Sequence, residues 1–136
     1  MTPAVTSPSD SQLSFAGVFT PTGRLLVADD GANDTSAVSP YRIAPNGVLN
    51  ATQAAVSDGQ TAACWITEGR NGDVFVDNAG SGVKPLDNAV SSDGQNLYLV
   101  NGGQSQLVEF SVGPNAQLTP VGTHALPAGS EGVAAS

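Results

Sequence analysis

The stretch that decides the fold is KPLDNAVSSDGQNLYLVNGG, residues 84–103. It predicts a strand, a tight turn and a second strand. The turn lies at residues 92–95 (SDGQ), where Gly94 can adopt the positive φ that a tight turn needs. The second strand contains residues 97–100 (LYLV), a short run of strand-forming residues, and ends at Asn101.

The same phrase occurs at residues 19–31 (FTPTGRLLVADDG) and 68–80 (EGRNGDVFVDNAG). Each copy has a glycine turn, a burst of apolar residues, and then Asp or Asn close to a glycine. The equivalent residues Val27, Val76 and Leu99 are 49 and 23 residues apart. A repeat of roughly 40–50 residues indicates a solenoid or a propeller. The short second interval indicates that part of the middle unit is missing.

A second phrase locates the missing part. Residues 41–49 (YRIAPNGVL) resemble residues 110–118 (FSVGPNAQL), and each reads as a strand, a Pro-Asn turn and a strand. No such phrase follows the middle repeat, where residues 78–82 (NAGSG) run directly into residues 83–85 (VKP). We therefore predict four-stranded antiparallel units with strands a to d, of which c and d are absent from the middle unit.

The predicted organisation is one partial β-propeller after a flexible lead-in. In the first unit, residues 29–39 are predicted as a polar loop, residues 41–44 as strand c, and residues 57–60 as a turn. The predicted segments are the lead-in 1–12, a blade at 13–62, an incomplete blade at 63–84, a blade at 85–130 and the start of another blade at 131–136.

Composition supports an all-β fold and excludes several functions. The 136 residues include 16 Gly and 9 Pro, and no long stretch has a helical apolar period. The net charge of −8, with only 4 Lys and Arg residues, excludes a basic surface for nucleic acid or an anionic membrane. No apolar run is long enough for a transmembrane helix. The acidic charge is typical of a soluble protein.

Cysteine use and the amino-terminal sequence bear on the compartment. Cys64 is the only cysteine, so one chain cannot form a disulfide framework. The first ten residues lack the basic start and apolar core of a signal peptide. The localisation is left open, although the composition would suit a secreted protein that lacks its signal peptide.

These phrases resemble the lactonase-type seven-bladed β-propellers, which include propeller 6-phosphogluconolactonases and carboxymuconate-cyclase-like proteins. The resemblance extends over residues 13–136. The segments that carry it are TAACWITEGRNGDVFVDNAGSG (61–82), SSDGQNLYLVN (91–101), YRIAPNGVL (41–49) and LPAGSEGVAAS (126–136). The resemblance implies an all-β propeller fragment of about two and a half blades, because the hairpin expected after residue 82 is missing.

A ring of that family needs about seven blades, so one copy of this chain would leave blade faces and sheet edges open. We therefore expect the partner to be a second copy, with a dimer favoured, and the ring to be completed by oligomerisation or strand exchange. The expected function is that of a self-assembling fragment with a structural or ligand-binding role. The alternative is a lactonase-like or cyclase-like hydrolase of a sugar lactone, active only as an oligomer.

Polar residues at the strand ends define a candidate ligand-binding face. Carboxylates around a channel mouth could bind a hard cation, but Asp, Asn and Gly also simply form turns. Residues 30–34 lack the spacing of a calcium loop, so we predict neither a metal nor another cofactor. The predicted face consists of Asp29, Asp30, Asp77, Asn78, Asp87, Asn88 and Asn101.

Lactone hydrolysis would need a base to activate water and a donor to stabilise the oxyanion. The candidates for the catalytic carboxylate are Asp87 and Glu131. The resemblance implies a histidine or another polar residue near the KPLDN loop, where this chain has Asp87. The single histidine, His124, is predicted on an outer strand away from a central pocket, and Trp65 is expected to pack between blades or to line a channel.

Overall fold

The computed structural model describes residues 3–9, 11–81 and 84–136. Over these ranges the chain forms eleven strands in three antiparallel sheets, with short 3-10 turns and no α-helix, which confirms the all-β prediction. None of the helical turns in these ranges could cross a bilayer. Residues 1, 2 and 10 of the predicted lead-in, and residues 82 and 83 of the predicted junction, lie outside the described residues.

The first sheet is a blade whose outermost strand is interrupted. It runs β1-β2-β3-β4, and β5 pairs with the same strand β3 as β4 does. β4 pairs along residues 41–43 and β5 along residues 35–38, so together they form one broken fourth strand. The strands are β1 (Leu13–Phe19), β2 (Arg24–Asp30), β3 (Thr35–Ile43), β4 (Leu49–Ala51) and β5 (Val56–Thr61).

Within the described residues the middle sheet has two strands, β6 (Ala63–Glu68) and β7 (Val74–Asn78), as the missing c–d phrase predicts. The third sheet is a complete four-stranded blade with the order β11-β10-β9-β8. Its strands are β8 (Pro85–Val90), β9 (Asn96–Asn101), β10 (Gln106–Val112) and β11 (Leu118–Ala125). We refer to the three sheets as blade 1, the half-blade and blade 3.

Each sheet has the same irregularity between its two inner strands. The register shifts between Ser14 and Ala16 in blade 1, and one residue is extra at the corresponding place in the other sheets. Such a β-bulge bends the strand and increases its local twist. The extra residues are Phe15, Cys64 and Leu86, and the residues paired just before each shift on the second strand are Asp29, Asn78 and Asn101.

The core lies where the half-blade packs against its neighbours. β6 lies between the inner strands β1 and β8, and Ala28, Ala63 and Ile66 form a buried cluster. Small residues let the sheets approach closely, and burial of their apolar surface stabilises the stack by about 25 cal/mol per Å². Trp65, expected to pack between blades or to line a channel, is 42% exposed. Cys64 is half-buried rather than fully enclosed.

Two sequence predictions in blade 1 were wrong. Most of the predicted loop at residues 29–39 is strand, because β3 begins at Thr35. Ser36 and Ser39 of β3 are fully buried, and they resemble loop residues only in their polarity. The predicted turn at residues 57–60 lies within β5. β5 is an exposed edge strand without an apolar face, so its sequence lacks the alternation that identifies a strand.

The junction between β5 and the half-blade leaves no room for a side chain at residue 80. The Ala79 N–H donates to the Ala62 carbonyl at 2.8 Å. A Cβ on Gly80 would lie 2.8 Å from the Thr61 carbonyl oxygen and would overlap the Thr61 hydroxyl. Separating them would require the backbone of β5 to shift.

We expect Gly80→Ala to lower the free energy of unfolding by about 1–3 kcal/mol, the usual cost of overpacking. The measurement is urea denaturation followed by tryptophan fluorescence. Gly122→Ala is the matched control, because a Cβ there meets no atom within 4 Å. Equal stability of the two variants would contradict the close approach at residue 80.

Candidate functional site

The main concave feature is a slot beside the half-blade. Within the described residues β7 pairs only with β6, and its other edge borders an open cavity of ≈ 630 Å³. Only residues 79–84 connect β7 to β8, too few to supply two further strands. We call this cavity the open slot; it occupies the position that strands c and d of a complete middle blade would fill.

The walls of the open slot are mainly apolar, because each is a sheet face of the kind that packs against a neighbouring blade. Blade 1 contributes side chains from β2, β3 and β5, and blade 3 contributes side chains from all four of its strands, β8 to β11. Representative wall residues are Leu26, Val38 and Pro40 on blade 1, and Leu99, Phe110 and Leu118 on blade 3.

A buried carboxylate lies at the end of the slot where β7 finishes. Asp77 is 7% exposed, and its Oδ1 accepts the Trp65 N–H at 2.7 Å beside the bulge of β6. Its Oδ2 has no hydrogen-bond partner of good geometry in the described part of the chain. Asp77 therefore caps a backbone group that the bulge leaves unpaired.

Burial is the main cause that raises the pKa of Asp77, to about 6, because desolvation penalises its charged form. The negative charge of Asp87 raises the pKa further. The hydrogen bond from the Trp65 N–H and the nearby Asn88 side chain act in the opposite direction. Asp77 is thus a carboxyl group that titrates close to neutral pH.

Asp87, on the neighbouring strand β8, has both carboxylate oxygens engaged. Its Oδ1 accepts the Asn88 N–H and its Oδ2 accepts the Val133 N–H, each at 2.9 Å. The carboxylate therefore holds the carboxyl-terminal segment against β8. Glu131, the other predicted candidate base, is exposed two residues before this contact.

The remaining residues of the predicted face are buried at the same end of each blade. Asp29 Oδ1 accepts the Ser14 hydroxyl at 2.6 Å, and the Asn101 amide donates to Gln104 at 2.9 Å. The Asn78 amide donates to Asp58 Oδ2 at 3.0 Å, which connects β7 to β5. Asp30 is also buried. The structure thus brings Asp77, Asn78 and Asn88 together at the slot, while Asp29, Asp30 and Asn101 lie in the flanking blades.

Other candidate groups do not join this site. His124 is exposed and lies 3.9 Å from Glu109 on the outer strands of blade 3. Burial raises the pKa of the Cys64 thiol, so this cysteine is not activated as a nucleophile. No group of three or more His, Cys, Asp or Glu side chains in the described ranges is arranged to hold a metal ion.

Sequence reasoning missed two charged residues at the slot. Asp58 was assigned to a turn, yet it lies on β5 and bonds to Asn78. Arg24 lines the slot at the start of β2, with Arg42 directly opposite on β3. The missing c–d hairpin was the signal in the sequence that a space should open there.

The fold is that of part of a lactonase-type β-propeller, as comparison with solved structures shows. A candidate 6-phosphogluconolactonase from Bacteroides uniformis superposes with a TM-score of 0.67 at 20% identity, covering 85% of this chain and 42% of that one. The periplasmic gluconolactonase PpgL of Pseudomonas aeruginosa gives 0.67 at 19% identity, with 88% and 44% covered. A candidate 6-phosphogluconolactonase from Bacteroides fragilis gives 0.65 at 15% identity, with 90% and 45% covered.

These comparisons define the fold and its extent. The chain spans less than half the length of these three propellers. Neither a protein-family model nor a curated protein matches the sequence. The expected fold class, a partial propeller with an incomplete blade, is confirmed.

The raised pKa of Asp77 predicts how stability depends on pH. The folded chain binds a proton at Asp77 more readily than the unfolded chain, so this residue costs stability above pH 6 and the cost disappears as the pH falls towards 4. We expect Asp77→Asn to be more stable than the wild type by about 2 kcal/mol at pH 7.5, and equally stable at pH 4. Thermal unfolding across this pH range measures the difference.

The matched control is Asp93→Asn, because Asp93 is exposed and the Ser91 hydroxyl and the Gln95 N–H lower its pKa. This variant should gain no stability at pH 7.5. A constant difference between Asp77→Asn and the wild type from pH 4 to pH 7.5 would contradict a raised pKa at Asp77.

Proposed function

We propose that this chain is a self-assembling β-propeller fragment with a binding role. The observation that carries the proposal is the incomplete middle blade, which leaves a sheet edge and two apolar sheet faces uncovered. The comparisons support the propeller fold, in which neighbouring blades pack face to face. A second copy is the partner that would supply further blades.

The outer face of blade 1 is the surface we assign to self-association. Ala16 and Val18 of β1 pack on the buried cluster, so the alternating residue Phe19 points away from the half-blade. Phe19 is 60% exposed, and the bulge residue Phe15 is also exposed. In a closed propeller such a face packs against the next blade. In a two-fold dimer, the blade 1 face of each copy would meet the blade 3 end of the other.

We expect the wild-type chain to be a dimer and Phe19→Lys to be a monomer, because the charge would be buried against an apolar face. Size-exclusion chromatography with light scattering measures the mass. Val56→Lys is the matched control, since Val56 is 55% exposed but lines the open slot and not the Phe19 face. A monomeric wild-type chain, or equal effects of the two variants, would count against self-association through blade 1.

A second candidate function is hydrolysis of a sugar lactone by the oligomer. The observation that favours it is the Asp77 carboxyl, whose pKa of about 6 suits a general base near neutral pH, in a cleft close to Asp87. Three structures with the same fold carry the name 6-phosphogluconolactonase or gluconolactonase. In this hypothesis Asp77, rather than Asp87 or Glu131, activates the water, because both Asp87 oxygens already accept hydrogen bonds.

The test is hydrolysis of glucono-δ-lactone by the purified oligomer, followed by base consumption at constant pH. If the chain is a lactonase, Asp77→Asn should lower kcat by roughly 100-fold or more, the usual contribution of a general base. Asp87→Ala should have a smaller effect on kcat, because it removes only the charge of Asp87 that helps to raise the pKa of Asp77. A folded dimer that does not exceed the uncatalysed rate would leave binding as the function.

A further inference from the structure

The outer edge of β7 has backbone groups directed into the open slot. At the hairpin end the Gly69 N–H donates to the Asp73 carbonyl at 2.8 Å. Hydrogen-bonded and non-hydrogen-bonded pairs alternate along antiparallel strands. The N–H and C=O groups of Val74 and Val76 therefore point away from β6, where no described strand pairs with them. Such an edge is a template for another strand.

The walls determine which side chains that strand must carry. Alternate residues of an added strand would face blade 1, at Leu26 and Val38, and blade 3, at Leu99 and Phe110. A strand covered on both faces needs apolar or β-branched residues at successive positions. β7 has 5 residues, so the matching segment is about 16 Å long at roughly 3.3 Å per residue.

Charges of opposite sign at the two ends of the slot determine the direction of that strand. Asp58 and Asp77 lie at the end where β7 finishes. Arg24 lines the opposite end, directly across from Arg42, and neither arginine forms an ion pair in the described structure. Like charges directly opposite on neighbouring strands are destabilising, so a carboxylate there would relieve the repulsion. An antiparallel strand would place its amino end at the aspartates and its carboxyl end at the arginines.

The two carboxylates at the acidic end attract a cationic group. Asp58 and Asp77 both line the slot there, and no lysine or arginine among the lining residues lies at this end. An ammonium group at the amino end of a strand supplies several N–H donors on one cationic centre.

We propose that the open slot binds an extended peptide segment that adds to β7 as an antiparallel strand, with apolar or β-branched side chains on both faces, a cationic amino end and an anionic carboxyl end. The site is separate from the Phe19 face, so it extends the proposed function beyond self-association. Main-chain hydrogen bonds to β7 would supply affinity, and the charged ends would supply direction.

The test uses the full chain and the soluble probe peptide Lys-Val-Thr-Ile-Thr-Val-Glu, with free termini, in isothermal titration calorimetry. The matched control peptide is the reversed sequence Glu-Val-Thr-Ile-Thr-Val-Lys, which has the same composition. We expect the reversed peptide to bind about fivefold more weakly at low ionic strength, and the difference to disappear near 1 M salt because screening removes the contribution of the charged ends.

Two variants test the geometry. Val76→Pro removes a donor from the free edge and should weaken binding about tenfold or more, while the β6–β7 pairing that does not use this N–H persists. Arg24→Glu changes an exposed residue and should abolish the preference for the probe over the reversed peptide, since it exchanges the charge at one end of the slot while the aspartate end is unchanged. Circular dichroism checks that each variant is folded. If Val76→Pro does not fold, the peptide preference of Arg24→Glu tests the proposal by itself.

Failure of the probe to bind the folded wild-type chain at millimolar concentration would overturn the proposal. Equal affinity for both peptides at low salt would do the same. If Phe19→Lys remained a dimer and Val76→Pro made it a monomer, the occupant would be a second copy rather than a peptide. A dimer that depends on Phe19 but binds no peptide would overturn the peptide-binding inference and leave the proposed self-association standing.

Discussion

The structure depends on the packing of β6 between the inner strands of two complete blades. The cluster of Ala28, Ala63 and Ile66 holds this strand in place through close contact of small and apolar side chains. The cluster joins the half-blade to blade 1, and β6 also contacts β8 of blade 3, so the half-blade lies between the two blades although it lacks outer strands. The same packing keeps the two facing walls apart and so preserves the open slot.

The inner hairpins were predictable from sequence because their signals are local. A glycine turn followed by apolar strand formers, as at Gly94 and residues 97–100, requires no knowledge of the rest of the fold. The outer strands of blade 1 were predictable only in part: the predicted strand c at residues 41–44 overlaps the end of β3, whose first residues were expected to be loop. Ser36 and Ser39 are buried in β3 by tertiary packing, and a polar sequence gives no indication of burial. Edge strands such as β5 need no apolar face, so periodicity cannot detect them.

The candidate site was predictable only in part, for a similar reason. The sequence indicated that Asp and Asn residues end the second strand of each unit, and they do lie at equivalent positions in the sheets. Their environment depends on contacts between blades, such as the charge of Asp87 acting on Asp77. The opposition of Arg24 and Arg42 depends on strand register, which neither composition nor spacing reveals.

The bulge shared by all three inner hairpins has a consequence for how such proteins change over generations. A bulge sets the local twist, and here it recurs at the same position of each inner hairpin, in the two-stranded sheet as in the larger sheets. The local twist of each inner hairpin therefore does not depend on how many outer strands the sheet has. An outer hairpin can then be removed or replaced while the twist of the inner hairpin is retained.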